Sequence, residues 1–312
     1  MSDRNGNGSR LVLVTGGAGF IGSHLCEALV ARGVRVRVLD DFSTGSAANL
    51  AAIRGQIEVI EGSLESPCAV GRAVTGATEV VHLAARSSVV ESIGARELYE
   101  RVNLAGTCTL FAAATAAKVR RVVFAASSSA YGDHAAPHDE SMSPRPESPY
   151  AATKVEGERM VRELAQVGGV DAVALRFFNV YGTRQDPNSA YAAVIPRFFA
   201  RIAAGQPVTV FSDGLQTRDF VHASDTARAV IAAIDAPKPL AGEVMNIGTG
   251  HATTILELAR LIGAICGKAV QIEHQPPRKG EVRDSVATTG RAERLLGFRA
   301  SIGLEAGLRT MV

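Results

Sequence analysis

Cysteine is scarce in this chain and shows no paired pattern: Cys26, Cys68, Cys108 and Cys266 lie far apart with no C-x-x-C among them. That spacing argues against disulfides and against a zinc site, and Cys26 and Cys108 fall in stretches that read as buried helix. The seven histidines, at 24, 82, 134, 138, 222, 251 and 274, likewise show no metal-ligand spacing and read as capped or packed residues. Tryptophan is absent. No apolar run approaches the roughly 20 residues that a membrane span needs. An excess of one charge sign is also missing, since 33 Lys plus Arg against 31 Asp plus Glu leave a formal +2. Nothing in that total points to a nucleic-acid or membrane partner, so an anionic ligand has to be held by a local site. What is present suits a folded protein: 312 residues, 46% of them apolar, make one large or two coupled domains and exclude disorder as the dominant state. The polar opening MSDRNGNGSR reads as a disordered leader on a cytoplasmic protein.

Short apolar runs alternate with amphipathic stretches: LVLVT at 11–15, a helix from Phe20 to Ala31, VRVRVLD at 34–40, IEVI at 57–60, TEVVHLA at 78–84, a long helix from about Arg96 to Lys118, and RVVFAA at 121–126. A helix near Pro149–Val167 and the strand DAVALR at 171–176 continue the series. Strand–helix alternation of this kind predicts an α/β Rossmann-type doubly wound parallel sheet with helices on both faces. The rhythm breaks at 179–196, where turn formers and aromatics replace periodicity. It resumes with VTVF at 208–211, a helix from about Asp225 to Ala236, EVMNIG at 243–248, and a helix opening at Thr254, where Thr254-Ile-Leu-Glu257 matches a capping box. The prediction is therefore a large domain of 1–177 plus 220–246 and a smaller interleaved α/β lobe of 178–219 plus 247–312.

Directly after the first strand stands Gly16-Gly17-Ala18-Gly19-Phe20-Ile21-Gly22, a G-x-x-G-x-x-G form of the dinucleotide fingerprint. Its glycines permit a tight turn, close approach of the backbone to a pyrophosphate, and close packing of helix on strand. A turn that merely needs glycine is the bland alternative, and the strand before and helix after weigh against it. Asp40, 24 residues beyond Gly16 at the end of the second strand, is placed to accept hydrogen bonds from the adenosine ribose and to repel a 2′-phosphate, which favours NAD over NADP; Asp41 is the alternative.

Tyr150 and Lys154 form Y-x-x-x-K behind Ser148, a good N-cap, and Pro149, which fits the first helical turn. Four residues apart on one helix, they share a face. An ammonium there lowers a phenol's pKa from about 10 toward working pH, making the tyrosine a candidate general base. Taken alone, the pair also reads as a surface contact. Ser127, Ser128 and Ser129 follow the strand RVVFAA, at the carboxyl end where doubly wound folds bind ligands.

TGGAGFIGSHL at 15–25, the serine triplet followed by Ala130-Tyr131-Gly132-Asp133, and SPYAATK at 148–154 resemble the extended short-chain dehydrogenase/reductases over nearly the whole chain. Within that family the chain is similar to the NAD-dependent nucleotide-sugar 4-epimerases of the UDP-glucose and UDP-N-acetylglucosamine group, most specifically through LRFFNVYGTRQDPNSAYAAVIP at 175–196. The resemblance implies Ser127, Tyr150 and Lys154 as the catalytic set, with Ser128 as a helper. It implies NAD contacts at Gly16, Gly19, Phe20, Ile21, Gly22, Asp40, Ser43, Gly45, Ser63, Leu64, Leu83, Ala84, Ala85, Asn103, Tyr150, Lys154 and Phe177. In the implied reaction Tyr150 takes the proton of the sugar 4-hydroxyl while carbon 4 is oxidised. The 4-keto sugar then turns about its link to the diphosphate and is reduced on the opposite face. Lys154 tunes Tyr150, and Ser127 hydrogen-bonds the 4-oxygen.

For the UDP-sugar the resemblance implies Ser88, Ser127, Ser128, Asn179, Arg218 and Arg278, with Ala192, Val194 and Arg197 in the segment that wraps uridine. Arginine suits a diphosphate through its planar donor fork, although an exposed arginine is the ordinary alternative. Ser285 matches the position that limits pocket size, where a small residue leaves room for a 2-N-acetyl group. Dehydratase relatives carry an Asp-Glu pair after the catalytic hydroxyl, and decarboxylase relatives a Glu where Ser129 stands; this chain has serines there, which favours plain epimerisation. Ser63 replaces the family's usual Asp after Gly62, and Arg86-Ser87-Ser88 replace a lysine found in some epimerases. A homodimer is implied through the 96–118 and 149–167 helices, whose apolar faces are equally explained by packing on the chain's own sheet. The competing activities are a UDP-glucuronate 4-epimerase, a nucleotide-sugar 4-ketoreductase and, from a different class, a non-catalytic dinucleotide-sensing regulator.

Overall fold

The computed structural model describes residues 10–185, 193–277 and 282–312. Six strands open the fold: β1 (Leu11–Thr15), β2 (Arg35–Asp40), β3 (Ile57–Glu61), β4 (Glu79–His82), β5 (Arg121–Ser127) and β6 (Asp171–Phe177). With the later strand Val244–Ile247 they form a seven-stranded sheet in the order Val244–Ile247, β6, β5, β4, β1, β2, β3, with parallel pairing throughout. This is the doubly wound α/β fold the sequence predicts. Strand residues alternate between two cores: Val12, Val14, Val123, Ala125, Val173 and Leu175 face one, and Leu13, Val122, Phe124, Ala172 and Ala174 the other. Burial on both faces is why these strands read as continuous apolar runs. The first core is covered by helix α1 (Phe20–Ala31) and the helix Ala223–Asp235, the second by the helices Pro67–Val74, Gly106–Ala116 and Pro149–Gln166.

A third core lies apart, built from Tyr181, Ile195, Phe198, Ile202, Val208, Phe220, Leu258 and Ile262 among others. It holds the helices Val194–Ala203 and Ile255–Ile265 against the paired strands Val208–Phe211 and Ile272–Gln275. Thr254 caps the second of these helices with a complete capping box.

Three readings need correction. The stretch read as one helix from Arg96 to Lys118 is a helix Arg96–Tyr99, a π-helical segment Glu100–Ala105 and a helix Gly106–Ala116. The helix Val194–Ala203 lies where periodicity had not been read; Pro196 in its first turn disguises it, although proline is tolerated there. Cys108, read as buried, is exposed, with its sulfur 3.9 Å from that of Met160. All four cysteines are free, and among the described residues no helix is long and apolar enough to cross a membrane.

Candidate active site

The strand order reverses between β1 and β4, the point at which doubly wound sheets open a ligand crevice. A cleft of about 480 Å³ lies there. Its floor is the glycine turn. Gly16 has φ +70° and a β-carbon on it would lie 2.7 Å from Ala84 N, while one on Gly22 would lie 2.7 Å from Gly17 Cα. Glycine is thus required for α1 to start tight against β1 and β4. Gly19 precedes α1 without any side-chain cap, leaving the first-turn amides to an anion in the cleft. Asp40 braces the turn from β2: its carboxylate accepts from Ala18 N at 2.8 Å and Phe42 N at 2.9 Å. Burial raises its pKa and those amides pull it back. Asp41 lines the cleft too, but its carboxylate serves Ser43, from the backbone N at 2.9 Å and the hydroxyl at 2.6 Å. Ser43, Gly45, Ser63, Leu64, Leu83, Ala84, Ala85 and Phe177 complete the expected lining. Ser63 Oγ accepts from Glu65 N at 3.1 Å. A bare glycine floor, an uncapped helix start and a carboxylate at the end of β2 fit a dinucleotide.

Ser148 caps the helix Pro149–Gln166 by accepting from Ala151 N at 3.1 Å, with Pro149 in the first turn. That start brings Tyr150 and Lys154 together onto the cleft wall, joined by Ser127 from the end of β5. Ser127 hydrogen-bonds Tyr150, and Ser129 Oγ donates to Ser127 Oγ at 2.9 Å. Lys154 Nζ donates to Ala125 O at 2.8 Å and lies 5.9 Å from the Tyr150 ring centroid. Burial pulls the Lys154 ammonium down to about 8, opposed by the charge of Glu158. Tyr150 is raised by burial, with the Ser127 hydrogen bond working against it. The expected net lowering of Tyr150 by Lys154 is therefore not found: burial raises the phenol, and the ammonium donates a hydrogen bond to a carbonyl.

A second cleft of about 830 Å³ adjoins the first, sharing Ser87, Val180 and Gln185 with it. Ser88, Asn179, Val194, Arg197 and Arg218 line it, as expected of a substrate wall. Arg218 Nη1 also donates to Thr217 O at 2.8 Å. Val89, Val90 and Ile93 add an exposed apolar border beside Ser88. Three expected residues lie on neither wall. Asn103, in the π-helical segment, accepts from Arg86 N at 2.8 Å and donates to Thr153 Oγ1 at 3.1 Å, bracing the catalytic helix from behind. Ser128 begins a short 3-10 turn, and its neighbour Ser129 contacts Ser127 instead. Ser285 is buried in a short strand, paired in register with Arg218. Ala192 and Arg278 lie outside the described residues.

Sequence reasoning missed several residues that shape these walls. Tyr99 is fully buried; its hydroxyl donates toward Ser88 O at 2.7 Å and Glu91 Oε2 at 2.8 Å, and its ring meets Tyr150 edge-on at 6.4 Å. Asp219, also buried, accepts from Thr249 N, Gly250 N and Ala287 N at 2.8, 2.8 and 3.2 Å, and its backbone O accepts from Asn179 N at 3.0 Å. Asp219 has no local signal because its partners lie 30 or more positions away, and Tyr99 bonds back to Ser88 and Glu91 across a helix break that no pattern announces. His82 is packed, as read, between Thr15 Oγ1 at 2.8 Å and Thr107 Oγ1 at 2.9 Å, and burial lowers it to about 3. Among the described residues no cluster of His, Cys, Asp and Glu is arranged to hold a metal ion.

A model of the NAD dependent epimerase/dehydratase family matches residues 12–248. The chain is 37% identical to a UDP-glucose 4-epimerase of Mycolicibacterium smegmatis, covering 96% of both chains. It is similar to the crystal structure of UDP-glucose 4-epimerase with UDP-glucose from Thermotoga maritima, with 35% identity and a TM-score of 0.91 over 96% of this chain and 97% of that one. It is also similar to a UDP-N-acetylglucosamine 4-epimerase from Methanobrevibacter ruminantium in complex with UDP-N-acetylmuramic acid, with 32% identity and a TM-score of 0.92 over 97% of each chain. By its glycine turn, its Ser–Tyr–Lys wall and this match over most of its length, the chain belongs to the NAD dependent epimerase/dehydratase family.

Proposed function

We propose that the protein interconverts UDP-hexoses at carbon 4, acting on UDP-glucose and UDP-galactose, on the N-acetylhexosamine pair, or on both, through a transient 4-keto sugar. The observation that carries this is the convergence of Ser127, Tyr150 and Lys154 where a glycine-floored cleft opens into one lined by Arg218 and Asn179. When bound, NAD supplies a reversible two-electron acceptor for carbon 4 and a pyridinium charge near the phenol. Tyr150 removes the proton of the 4-hydroxyl and later returns it. Ser127 donates to the 4-oxygen and is itself oriented by Ser129. Lys154, held by Ala125 O, keeps positive charge beside the phenol as proton demand changes. Arg218 and Arg278 grip the nucleotide diphosphate, Asn179 contacts the diphosphate or the sugar, Ala192, Val194 and Arg197 belong to the segment that wraps the uridine, and Ser128 stands as a helper. The apolar border at Val89 and Val90 beside Ser88 supports a place for the methyl of an acetamido group.

The reading assigns cofactor binding to 1–177 plus 220–246 and the sugar nucleotide to 178–219 plus 247–312. It extends to a cytoplasmic homodimer, supported by four free cysteines and by exposed Ala105, Cys108 and Ala112 on one helical stripe.

The test is incubation of the purified protein with UDP-glucose, UDP-N-acetylglucosamine and UDP-glucuronate, without added cofactor, following the 4-epimers. Turnover of one of the first two pairs is expected, with Tyr150→Phe slower by roughly 10²-fold or more. No turnover, or a phenylalanine variant as fast as wild type, overturns the proposal. Exclusive turnover of UDP-glucuronate, or stoichiometric consumption of NADPH, selects a competing activity.

A further inference from the structure

Glu158 lies one turn beyond Lys154 on the catalytic helix, pointing away from both clefts. Its carboxylate accepts two hydrogen bonds from Arg176 of β6, from Nε and from Nη2, each 2.7 Å, and both side chains are 1% exposed. The guanidinium lies 4.5 Å over the ring of Tyr131, which follows the serine triplet. Tyr131 stacks in turn on His138 at 4.6 Å and donates its hydroxyl to Asn246 Oδ1 at 2.6 Å. His138 N donates to Val286 O at 2.7 Å, so the stack ends beside Ser285.

A buried ion pair is weak evidence for stability, because well-packed apolar residues of the same volume hold a core as well or better. Its placement has to supply the reason for it. Lys154 is a cation taken out of water, and desolvation works against its charge. The groups around it are Tyr150 and Glu158 on its own helix, His82 on β4, Phe124 and the Ala125 carbonyl on β5, and Tyr99 edge-on to Tyr150. His82 is held neutral by its burial, so it adds no opposing positive charge next to the ammonium. Glu158, one turn along the helix, is the carboxylate acting on Lys154, and Arg176 holds it in place with two buried bonds.

We propose that Glu158 and Arg176 are positioning residues for the epimerisation: Arg176 fixes the Glu158 carboxylate through a bidentate buried contact, and that carboxylate, one turn from Lys154, supports the lysine's charge beneath Tyr150. The Tyr131–His138 stack sets the guanidinium plane and links it to the sugar-nucleotide lobe. This rests on the epimerase reading only for its kinetic arm. The titration of Lys154 can be read without turnover.

The chain has five lysines, so [ε-¹³C]lysine NMR resolves them, and the peak lost in Lys154→Met assigns the residue. In Glu158→Gln, which leaves Arg176 uncompensated, the Lys154 midpoint is expected to fall by about one pH unit or more, the size typical of a lost opposite charge. The paired Glu158→Met/Arg176→Met variant, which keeps volume and folds if the single variant does not, is expected to shift Lys154 the same way but less. The alkaline limb of kcat should move with the NMR midpoint in each variant while KM stays within about twofold. An unmoved Lys154 midpoint in the paired variant, with or without a fall in kcat, makes the pair a packing element and overturns the proposal. A moved midpoint in a protein that turns over no UDP-hexose upholds the electrostatic link and fails the epimerase reading alone.

Discussion

The closeness of the catalytic helix to the sheet makes a prediction of opposite sign for two glycine-to-alanine changes. Gly157 lies on that helix, and an alanine β-carbon there would sit 2.7 Å from Phe124 Cε1 and nearer still to Cζ, well inside contact distance. Gly71, in the helix Pro67–Val74, would present its β-carbon to open space. Both substitutions gain roughly 1 kcal/mol of helix propensity. Gly71→Ala keeps that gain. Gly157→Ala sets against it an overpacking cost of about 1–3 kcal/mol, because Phe124 sits in a filled core and has little room to turn. The expected outcome is a Tm higher by about 2–4 °C for Gly71→Ala and unchanged or lower by up to about twice that amount for Gly157→Ala, measured at one fixed NAD concentration. Activity separates the two further. Phe124 lies 5.0 Å under Lys154 Nζ, so a helix lifted off the sheet also loosens the Lys154–Ala125 bond. A loss of kcat is expected for Gly157→Ala and none for Gly71→Ala. Equal stabilisation by both, with full activity, would show that the helix does not approach the strand as closely as described.

Two further outcomes follow from the second cleft and from the buried histidine. Arg218→Ala should weaken binding of UDP alone by about 1.5–3 kcal/mol, the range for a charge-assisted hydrogen bond, while leaving NAD affinity unchanged; calorimetric titration with UDP that shows no loss would return Arg218 to the class of surface arginines. His82 titrates near 6.5 when unfolded and at about 3 in the fold, so the unfolded chain binds the extra proton between those values. Its contribution is fully present above pH 6.5 and is lost as pH falls toward 3, at up to about 1.4 kcal/mol per pH unit. Urea unfolding at pH 7 and pH 5 should therefore show a smaller acid loss in His82→Gln than in wild type, and equal losses would contradict the assignment.

The parallel sheet and its glycine turn are legible in the sequence because their signals are local. Strands buried on both faces are continuous apolar runs, the glycine turn is contiguous, and Ser148-Pro149 marks the helix that puts Tyr150 and Lys154 on one face. The same Ser-Pro signal stands at Ser66-Pro67, and that helix was passed over because its eight residues are too few to show a period. What stayed hidden depends on pairing at a distance. Glu158 and Arg176 are 18 positions apart on different elements, and neither has a pattern that announces the other. Asn103 is expected near the cofactor; what the composition does not show is the π-helical segment that carries it and sets its amide against Arg86 and Thr153. Cys108 was misplaced because an apolar helix surrounded by alanines does not declare which face is covered.

The two central groups are pushed the same way by burial, each toward its neutral form: Tyr150 toward phenol and Lys154 toward amine. Their compensation is unequal. Lys154 has the Glu158 carboxylate acting on it, itself secured by Arg176, and a fixed carbonyl accepting its hydrogen bond. Tyr150 has one hydroxyl, that of Ser127. The chain's own groups therefore prepare the cation and leave the phenolate at a disadvantage. On the proposed reading, proton removal by Tyr150 then becomes favourable only when further positive charge stands next to the ring, which ties the base to the moment when carbon 4 and its electron acceptor are both in place. Such an arrangement protects the site from an idle buried anion, and it explains why the lysine, not the tyrosine, receives the most elaborate support in the core.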